Sequence, residues 1–166
     1  MKKRYAVAFT GPSGSGKTTL IQKVARELIN TKQQVAIIKH DPKDKAIFDV
    51  EGKDSYKFSQ TGAEVVVASS SRTTYLSQRE KSLDEIISMF GDFDYLLVEG
   101  LKTLPLPRVA IFRNSIEESY FKVSEAMAVD SSIDINSYNI PDKVDILDLN
   151  CTKDIISWIK INAKEI

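Results

Sequence analysis

A glycine-rich stretch near the start of the chain constrains the fold more than any other feature. Residues Gly11–Thr18 read GPSGSGKT and match the phosphate-binding pattern G-x-x-x-x-G-K-[ST] at every fixed position. The apolar run Tyr5–Thr10 before it has the length and side chains of a buried strand. Apolar residues recur at helical spacing after it, from Leu20 to Ile29. These flanks favour a phosphate-binding loop over a plain turn that merely connects a strand to a helix.

Each fixed position of this loop has a chemical reason. The glycines let the backbone turn its N–H groups toward phosphate oxygens, and the positive end of the following helix reinforces them. Lys17 is predicted to bridge the terminal phosphates as the catalytic cation, and the Thr18 hydroxyl to coordinate Mg²⁺. The predicted nucleotide-binding residues here are Gly11, Pro12, Ser13, Gly14, Ser15, Gly16, Lys17, Thr18 and Thr19.

The rest of the chain alternates strand patterns with helix patterns. This order predicts an α/β fold of three layers, the P-loop NTPase type, with a mostly parallel sheet flanked by helices. Capping residues are expected to start three of the helices: Asp54 before a short helix, Ser82 in a capping box with Glu85, and Thr152 before the last helix. Further strands are predicted at residues 34–39, 64–69, 72–76, 94–100, 108–113, 126–130 and 144–149.

Acidic residues and a histidine follow two of these strands. In parallel sheets, ligands bind beyond the carboxyl ends of the strands, so the glycine loop, the segment 40–54 and Glu99 are expected at one edge. Glu99 is the predicted second Mg²⁺ residue. Asp41 is a candidate to orient the attacking water, with Asp44, Asp49 and Asp54 as alternatives. His40, the only histidine, is a candidate ligand contact or a plain packing residue.

Cations are available but scattered. Lys53, Arg72, Arg108 and Arg113 are candidates to stabilise phosphate charge, Lys53 first among them, and scattered cations of this kind are usually solvated instead. The guanine-reading string N-K-x-D is absent from the sequence. The residues alone therefore do not distinguish guanine from adenine.

Composition limits the classes of partner. Lys plus Arg and Asp plus Glu each number 23, so the net charge is zero, and we expect neither a nucleic acid nor a membrane surface as a partner. Cys151 is the only cysteine, which excludes an intrachain disulfide and is typical of a cytoplasmic protein. A chain of 166 residues without an evident linker is expected to form one domain, residues 1–166.

Three strings together resemble the family of molybdopterin-guanine dinucleotide biosynthesis adaptor protein B. They are the loop Gly11–Thr19, the pair Lys39-His40 followed by Phe48-Asp49 and Gly52–Ser55, and the string Leu97–Lys102. The glycine loop alone is shared by many NTPases, so the second string carries most of the resemblance. Some relatives have another histidine shortly after Lys39-His40, and here Lys43 and its neighbours stand in that place.

The resemblance implies a dimeric GTP-binding protein with weak, Mg²⁺-dependent GTPase activity. Such a protein assists the guanylyltransferase that attaches GMP to molybdopterin during molybdenum-cofactor synthesis. By position, Thr18 and Glu99 would serve Mg²⁺. The second loop would face the pterin or the partner enzyme with His40, Asp49, Lys53, Asp54 and Ser55.

Three other functions remain open from the sequence. A small-molecule kinase on the same scaffold would need an arginine-rich lid, which this chain lacks. A nickel-delivery GTPase would need more than one histidine and one cysteine as metal ligands. A nucleotide-binding module without hydrolysis needs only the loop.

Overall fold

The computed structural model describes residues 3–166 and divides them into two compact units. The first unit comprises the described residues up to His40 together with Asp92–Ile166, and the second comprises Asp41–Gly91. The predicted single domain of residues 1–166 stays a prediction. Among residues 3–166, no helix is both long and apolar enough to cross a lipid bilayer.

The first unit contains most of the secondary structure. Its strands are β1 (Tyr5–Thr10), β2 (Val35–Lys39), β5 (Tyr95–Glu99), β6 (Arg108–Phe112), β7 (Ala126–Val129), β8 (Asp145–Asp148) and β9 (Lys164–Glu165). Its α-helices are α1 (Lys17–Asn30) and α4 (Thr152–Asn162), and two short 3-10 helices span Glu118–Lys122 and Ile135–Ser137. The second unit holds α2 (Asp54–Ser59), β3 (Val65–Ala68), β4 (Thr73–Leu76) and α3 (Leu83–Met89).

The main sheet has the strand order β2-β5-β1-β6-β7-β8, and each neighbouring pair in that order is parallel. The short strand β9 joins it antiparallel to β1, with Tyr5 opposite Glu165. Strand β1 lies at the centre, between β5 and β6. The predicted mostly parallel sheet flanked by helices is confirmed.

Burial on both faces explains why these strands are continuously apolar. In β6, Val109 and Ile111 face a core that α1 and α4 complete, while Ala110 and Phe112 face a second core on the opposite side. Residues of the segment 116–144 close that second core. A strand covered on both sides needs apolar residues at every position, which removes the alternation of a half-exposed strand.

The second unit contains a separate antiparallel pair. Strands β3 and β4 pair with each other from Val65 opposite Leu76 to Ala68 opposite Thr73, as a sheet of two strands. The sequence correctly predicts both strands but not their separation from the main sheet. The two sheets differ in the exposure of their side chains. Val66 and Val67 in β3 are 58% and 44% exposed, whereas β1 and β6 of the main sheet are almost fully buried.

Two of the three predicted helix caps are wrong by one residue. Asp54 and Thr152 lie inside the first turns of α2 and α4, and the capping positions are taken by Lys53 and Cys151. The Asp54 carboxylate lies 3.5 Å from the Lys57 ammonium one turn later instead of capping the backbone. The capping box of Ser82 and Glu85 is confirmed, with both reciprocal hydrogen bonds present.

The capping box gives a local prediction for α3. We expect Ser82→Ala to destabilise this helix by about 1 kcal/mol, because the Glu85 N–H loses its acceptor. Hydrogen exchange at the α3 amides measures the loss, and Ser88→Ala on the same short helix is the matched control. Equal exchange rates in both variants would contradict the capping role.

Candidate nucleotide-binding site

Residues 11–16 form a tight loop between the buried strand β1 and helix α1. Gly11 has φ +141°, and a Cβ at this position would lie 2.4 Å from the Ile111 carbonyl oxygen. Gly16 has φ +96° and occupies the capping position of α1, where a Cβ would lie 3.2 Å from Arg113 Nε. The left-handed backbone therefore favours glycine at both positions, and at Gly11 the backbone of Ile111 also leaves no space for a side chain.

The amino end of α1 is left open to an anion. No side chain of the described residues caps the helix at Gly16, and its first turn contains no acidic residue. The free N–H groups and the positive end of the helix dipole at this position form a binding site for negative charge. Ser13, Thr18 and Thr19 are exposed around it.

Lys17 is hydrogen bonded to the loop itself. Its Nζ donates to the carbonyl oxygens of Gly11 at 2.9 Å and Pro12 at 2.6 Å. Burial lowers the pKa of Lys17; repulsion from Lys102 adds to this, and the Glu99 carboxylate opposes it. The ammonium thus lies over the phosphate loop, within the electrostatic influence of the predicted Mg²⁺ residue.

Ser15 places a hydroxyl beneath the loop. It is 5% exposed, and its Oγ has no hydrogen-bond partner among the described residues. A buried hydroxyl without a partner is costly, and a polar group entering the loop would relieve that cost. The sequence includes Ser15 in the loop but does not predict this burial.

Glu99 is the last residue of β5 and lies beside the carboxyl end of β1. The register sets Glu99 beside Phe9, two residues before Gly11, and beside Lys39 on the other side. The next N–H, that of Gly100, donates to the Phe9 carbonyl at 3.0 Å. The predicted placement of Glu99 at the same sheet edge as the glycine loop is therefore found.

The donor set at this edge fits Mg²⁺. A threonine hydroxyl (Thr18) and a carboxylate (Glu99) are hard oxygen ligands, and Mg²⁺ is usually held by one or two such groups together with phosphate oxygens and water. No cluster of three or more His, Cys, Asp or Glu side chains suited to a metal occurs in the described part of the chain. Thr18 and Glu99 would hold the ion, which would supply neutralisation of phosphate charge.

His40 lies against the turn after Glu99. Its N–H donates to the Glu99 carbonyl at 3.0 Å, and a Cβ on Gly100 would lie 3.2 Å from the His40 Cβ. Gly100 has φ +88°, so it combines a left-handed turn with close approach to the histidine. The imidazole is exposed, which leaves it available to a ligand.

Arg108 holds the segment that follows Glu99. The residue is 1% exposed, and its guanidinium donates to the carbonyl oxygens of Gly100 at 2.9 Å, Leu101 at 3.0 Å and Leu104 at 3.1 Å. Leu101 has φ +49°, a left-handed conformation that is strained for a leucine and needs support from its surroundings. The expectation that Arg108 stabilises phosphate charge is wrong, because its guanidinium is buried against these carbonyl groups.

An ion pair beside Gly16 was not predicted. Arg113 Nη1 lies 3.3 Å from Asp130 Oδ2, and Arg113 is also the side chain nearest to Gly16. Hydrogen bonds from Ser132 lower the pKa of Asp130, and Arg113 lowers it further. From the sequence, Arg113 was only one of several scattered candidate cations. The available signal was an acid at the carboxyl end of a buried strand, because Asp130 directly follows β7 and Glu99 is the last residue of β5.

The remaining predicted site residues lie in the second unit. Asp41 Oδ2 accepts the N–H groups of Lys45 and Ala46, both at 2.7 Å, so this carboxylate stabilises a turn. Asp49 Oδ1 accepts the Ser55 hydroxyl at 2.9 Å, and Asp49 Oδ2 is buried with no partner among residues 3–166. Lys53 is exposed ahead of α2. The catalytic role of Asp41 and the binding roles of Asp49 and Lys53 stay predictions.

The fold and this loop together define a P-loop nucleotide-binding protein of the NTPase class. A glycine cradle joins the central strand of a parallel sheet to a helix whose amino end is open, with a carboxylate on the neighbouring strand. In P-loop proteins generally, such an arrangement binds phosphate groups through backbone N–H donors, a lysine and a metal ion.

Comparison with known proteins identifies the family. The model of the MobB family, described as molybdopterin guanine dinucleotide synthesis protein B, matches residues 6–132. A molybdopterin-guanine dinucleotide biosynthesis adapter protein of Haemophilus influenzae is 32% identical over 161 residues, covering 93% of this chain and 86% of the relative. The adapter protein of Escherichia coli is 28% identical over 162 residues, covering 92% and 90%. The chain therefore belongs to the MobB family.

Solved structures agree at the level of the fold. The crystal structure of Bacillus subtilis MobB has a TM-score of 0.76 at 22% identity and covers 96% of this chain and 98% of that one. The hydrogenase maturation factor HypB of Archaeoglobus fulgidus has a TM-score of 0.53 at 19% identity, covering 95% and 87%. The second match confirms a fold shared with other P-loop proteins.

Proposed function

We propose that this chain is a GTP-binding adapter protein that assists the attachment of GMP to molybdopterin. Membership of the MobB family carries the proposal, because its relatives are named as adapters of molybdopterin-guanine dinucleotide synthesis. GTP is the proposed nucleotide and Mg²⁺ the proposed ion, held by Gly11–Thr19 and Glu99. Its partners are a molybdopterin guanylyltransferase, molybdopterin and a second copy of the chain, and its compartment is the cytoplasm.

The geometry supports slow hydrolysis rather than rapid phosphoryl transfer. Fast NTPases need a residue that orients the attacking water, and the candidate Asp41 has an oxygen hydrogen bonded to two backbone N–H groups. The first unit supplies a phosphate cradle, Lys17 and Glu99 for binding. We infer that binding of the nucleotide, rather than its turnover, is the main contribution of this chain.

Nucleotide choice provides the direct test. With Mg²⁺ present, we expect GTP to bind at least about tenfold more tightly than ATP, a difference of about 1.4 kcal/mol. Calorimetric titration of both nucleotides measures the ratio, and a repeat with excess EDTA tests the contribution of Mg²⁺. Equal affinity for ATP and GTP would contradict the choice of GTP.

A reconstituted reaction tests the adapter role. Adding this chain and GTP to a molybdopterin guanylyltransferase with molybdopterin is expected to raise the yield of the dinucleotide, and the Lys17→Ala variant is expected not to. Rapid phosphoryl transfer from GTP to a small metabolite would instead support a kinase. An unchanged yield would refute the adapter role even if GTP binds.

A further inference from the structure

A basic cleft lies within the first unit, apart from the glycine loop. It has a volume of about 650 Å³ and is lined by the segment that joins β5 to β6, by residues around the start of β7, and by Asn162 and Lys164 near the end of the chain. This volume is within the usual range for small-molecule sites, roughly 300–1,000 Å³.

Cations dominate the polar lining of this cleft. Lys102, Lys122 and Lys164 all contribute to it and are all exposed. The one carboxylate among the described lining residues, Glu125, accepts the backbone N–H of Arg108 at 2.8 Å. In a chain of zero net charge, a concentration of three lysines around one cavity produces a local positive potential.

Two of the lysines are held in place by neighbouring groups. Lys102 Nζ lies 3.8 Å from the centroid of the Tyr120 ring, a cation–π contact that directs the ammonium. Lys164 Nζ donates to the Pro105 carbonyl at 3.3 Å and so connects the last strand to the wall of the cleft. Positioned ammonium groups lose less conformational entropy on binding than free ones, which favours a specific anion site.

Most of the remaining lining is apolar, and Asn162 and the buried Arg108 are its other polar residues. Leu104, Pro105, Leu106 and Pro107 form one side, and Val123 lies among the opposing residues. An occupant of this cleft therefore combines a charged group for the lysines with an uncharged body for the proline-rich segment. A doubly charged phosphate matches three ammonium groups better than a single carboxylate does.

We propose that this cleft binds a small organic phosphate, a phosphomonoester with an apolar body, at a site separate from the glycine loop. Burial is the main cause of the lowered pKa of Lys17, and the charge of Lys102 contributes to it. Two phosphate-bearing ligands are then held by one unit. The proposal rests on the cleft alone and does not require that the glycine loop binds GTP.

Phenyl phosphate is the probe for this site. We expect its titration into the ¹⁵N-labelled protein, with GDP and Mg²⁺ in excess, to shift amide resonances of Lys122, Val123, Glu125 and Lys164 with one saturable dissociation constant. If the loop failed to bind GDP, the probe would also shift Gly14 and Lys17. Binding at the two sites is therefore reported by different amide resonances. The test of the cleft remains valid even if the glycine loop does not bind GDP.

Substitutions decide whether the lysines bind the probe. Lys122→Met with Lys164→Met keeps the apolar stems and is expected to weaken binding about tenfold, from two lost charge interactions of about 0.7 kcal/mol each. Lys23→Met with Lys143→Met removes the same charge at exposed positions outside the cleft and is expected to leave binding unchanged.

Three results would overturn the proposal. The first is an absence of saturable shifts at the cleft amides. The second is an equal loss of affinity in both double variants, which would indicate a general charge effect. The third is equal binding of phenol, which would show that the phosphate contributes nothing.

Discussion

Replacing Lys17 with alanine is expected to lower nucleotide affinity by about 100-fold while the fold stays intact. The lysine ammonium lies over the loop, 2.9 Å from the Gly11 carbonyl and 2.6 Å from the Pro12 carbonyl. Charge-assisted hydrogen bonds contribute roughly 1.5–3 kcal/mol each, so one such bond to phosphate corresponds to about a 10- to 150-fold change in affinity.

The free energy of unfolding of the Lys17→Ala variant should differ little from that of the unsubstituted protein, for two reasons. Burial lowers the pKa of Lys17, so the folded protein disfavours its charge, and removing that charge relieves the cost. Alanine is also the best helix former at the first position of α1. Titration with a fluorescent GTP analogue measures affinity, and thermal unfolding measures stability.

Lys23→Ala is the matched control on the exposed face of the same helix. It should retain full affinity. The site assignment would be refuted if Lys17→Ala bound nucleotide as tightly as this control, and the claim of an intact fold would fail if its melting temperature fell by several degrees.

Replacing Arg108 with methionine is expected to reduce the free energy of unfolding by about 2–4 kcal/mol. Methionine retains much of the buried volume, but the carbonyls of Gly100, Leu101 and Leu104 lose their common donor. Burial lowers the pKa of Arg108, so part of the loss is offset by removing a desolvated charge. The left-handed Leu101 then has no hydrogen bond from Arg108 to hold it.

The same variant should loosen the segment next to Glu99. We expect faster hydrogen exchange of the amides at Gly100 and Leu104 and a weaker dependence of nucleotide binding on Mg²⁺, because the predicted metal carboxylate directly precedes this segment. Urea unfolding gives the stability change. Arg26→Met, at an exposed position of α1, is the control and should change neither quantity. Unchanged exchange at Gly100 would contradict the positioning role.

Local sequence patterns determined the nucleotide loop and its flanking elements. The residues that shape the loop are eight consecutive ones, Gly11–Thr18. Gly11 and Gly16 have positive φ, a conformation that glycine adopts readily. The same holds for the capping box at Ser82, whose two hydrogen bonds join residues three apart. The edge position of Glu99 was also predictable from the sequence. A strand of a parallel sheet covered on both faces is apolar throughout, so the first acidic residue after the apolar run marks the edge of the sheet.

Only the tertiary structure decided what the scattered charges do. Arg108 and Arg113 lie at the two ends of the same sequence string, yet one is buried against three carbonyl groups and the other forms an ion pair with Asp130 beside Gly16. The lysines of the basic cleft are up to 62 positions apart, from Lys102 to Lys164. Such groupings depend on the strand order and on the path of the β5–β6 connection, which bring distant residues together. No pattern of neighbouring residues encodes that order, so these contacts emerged only once the chain was folded.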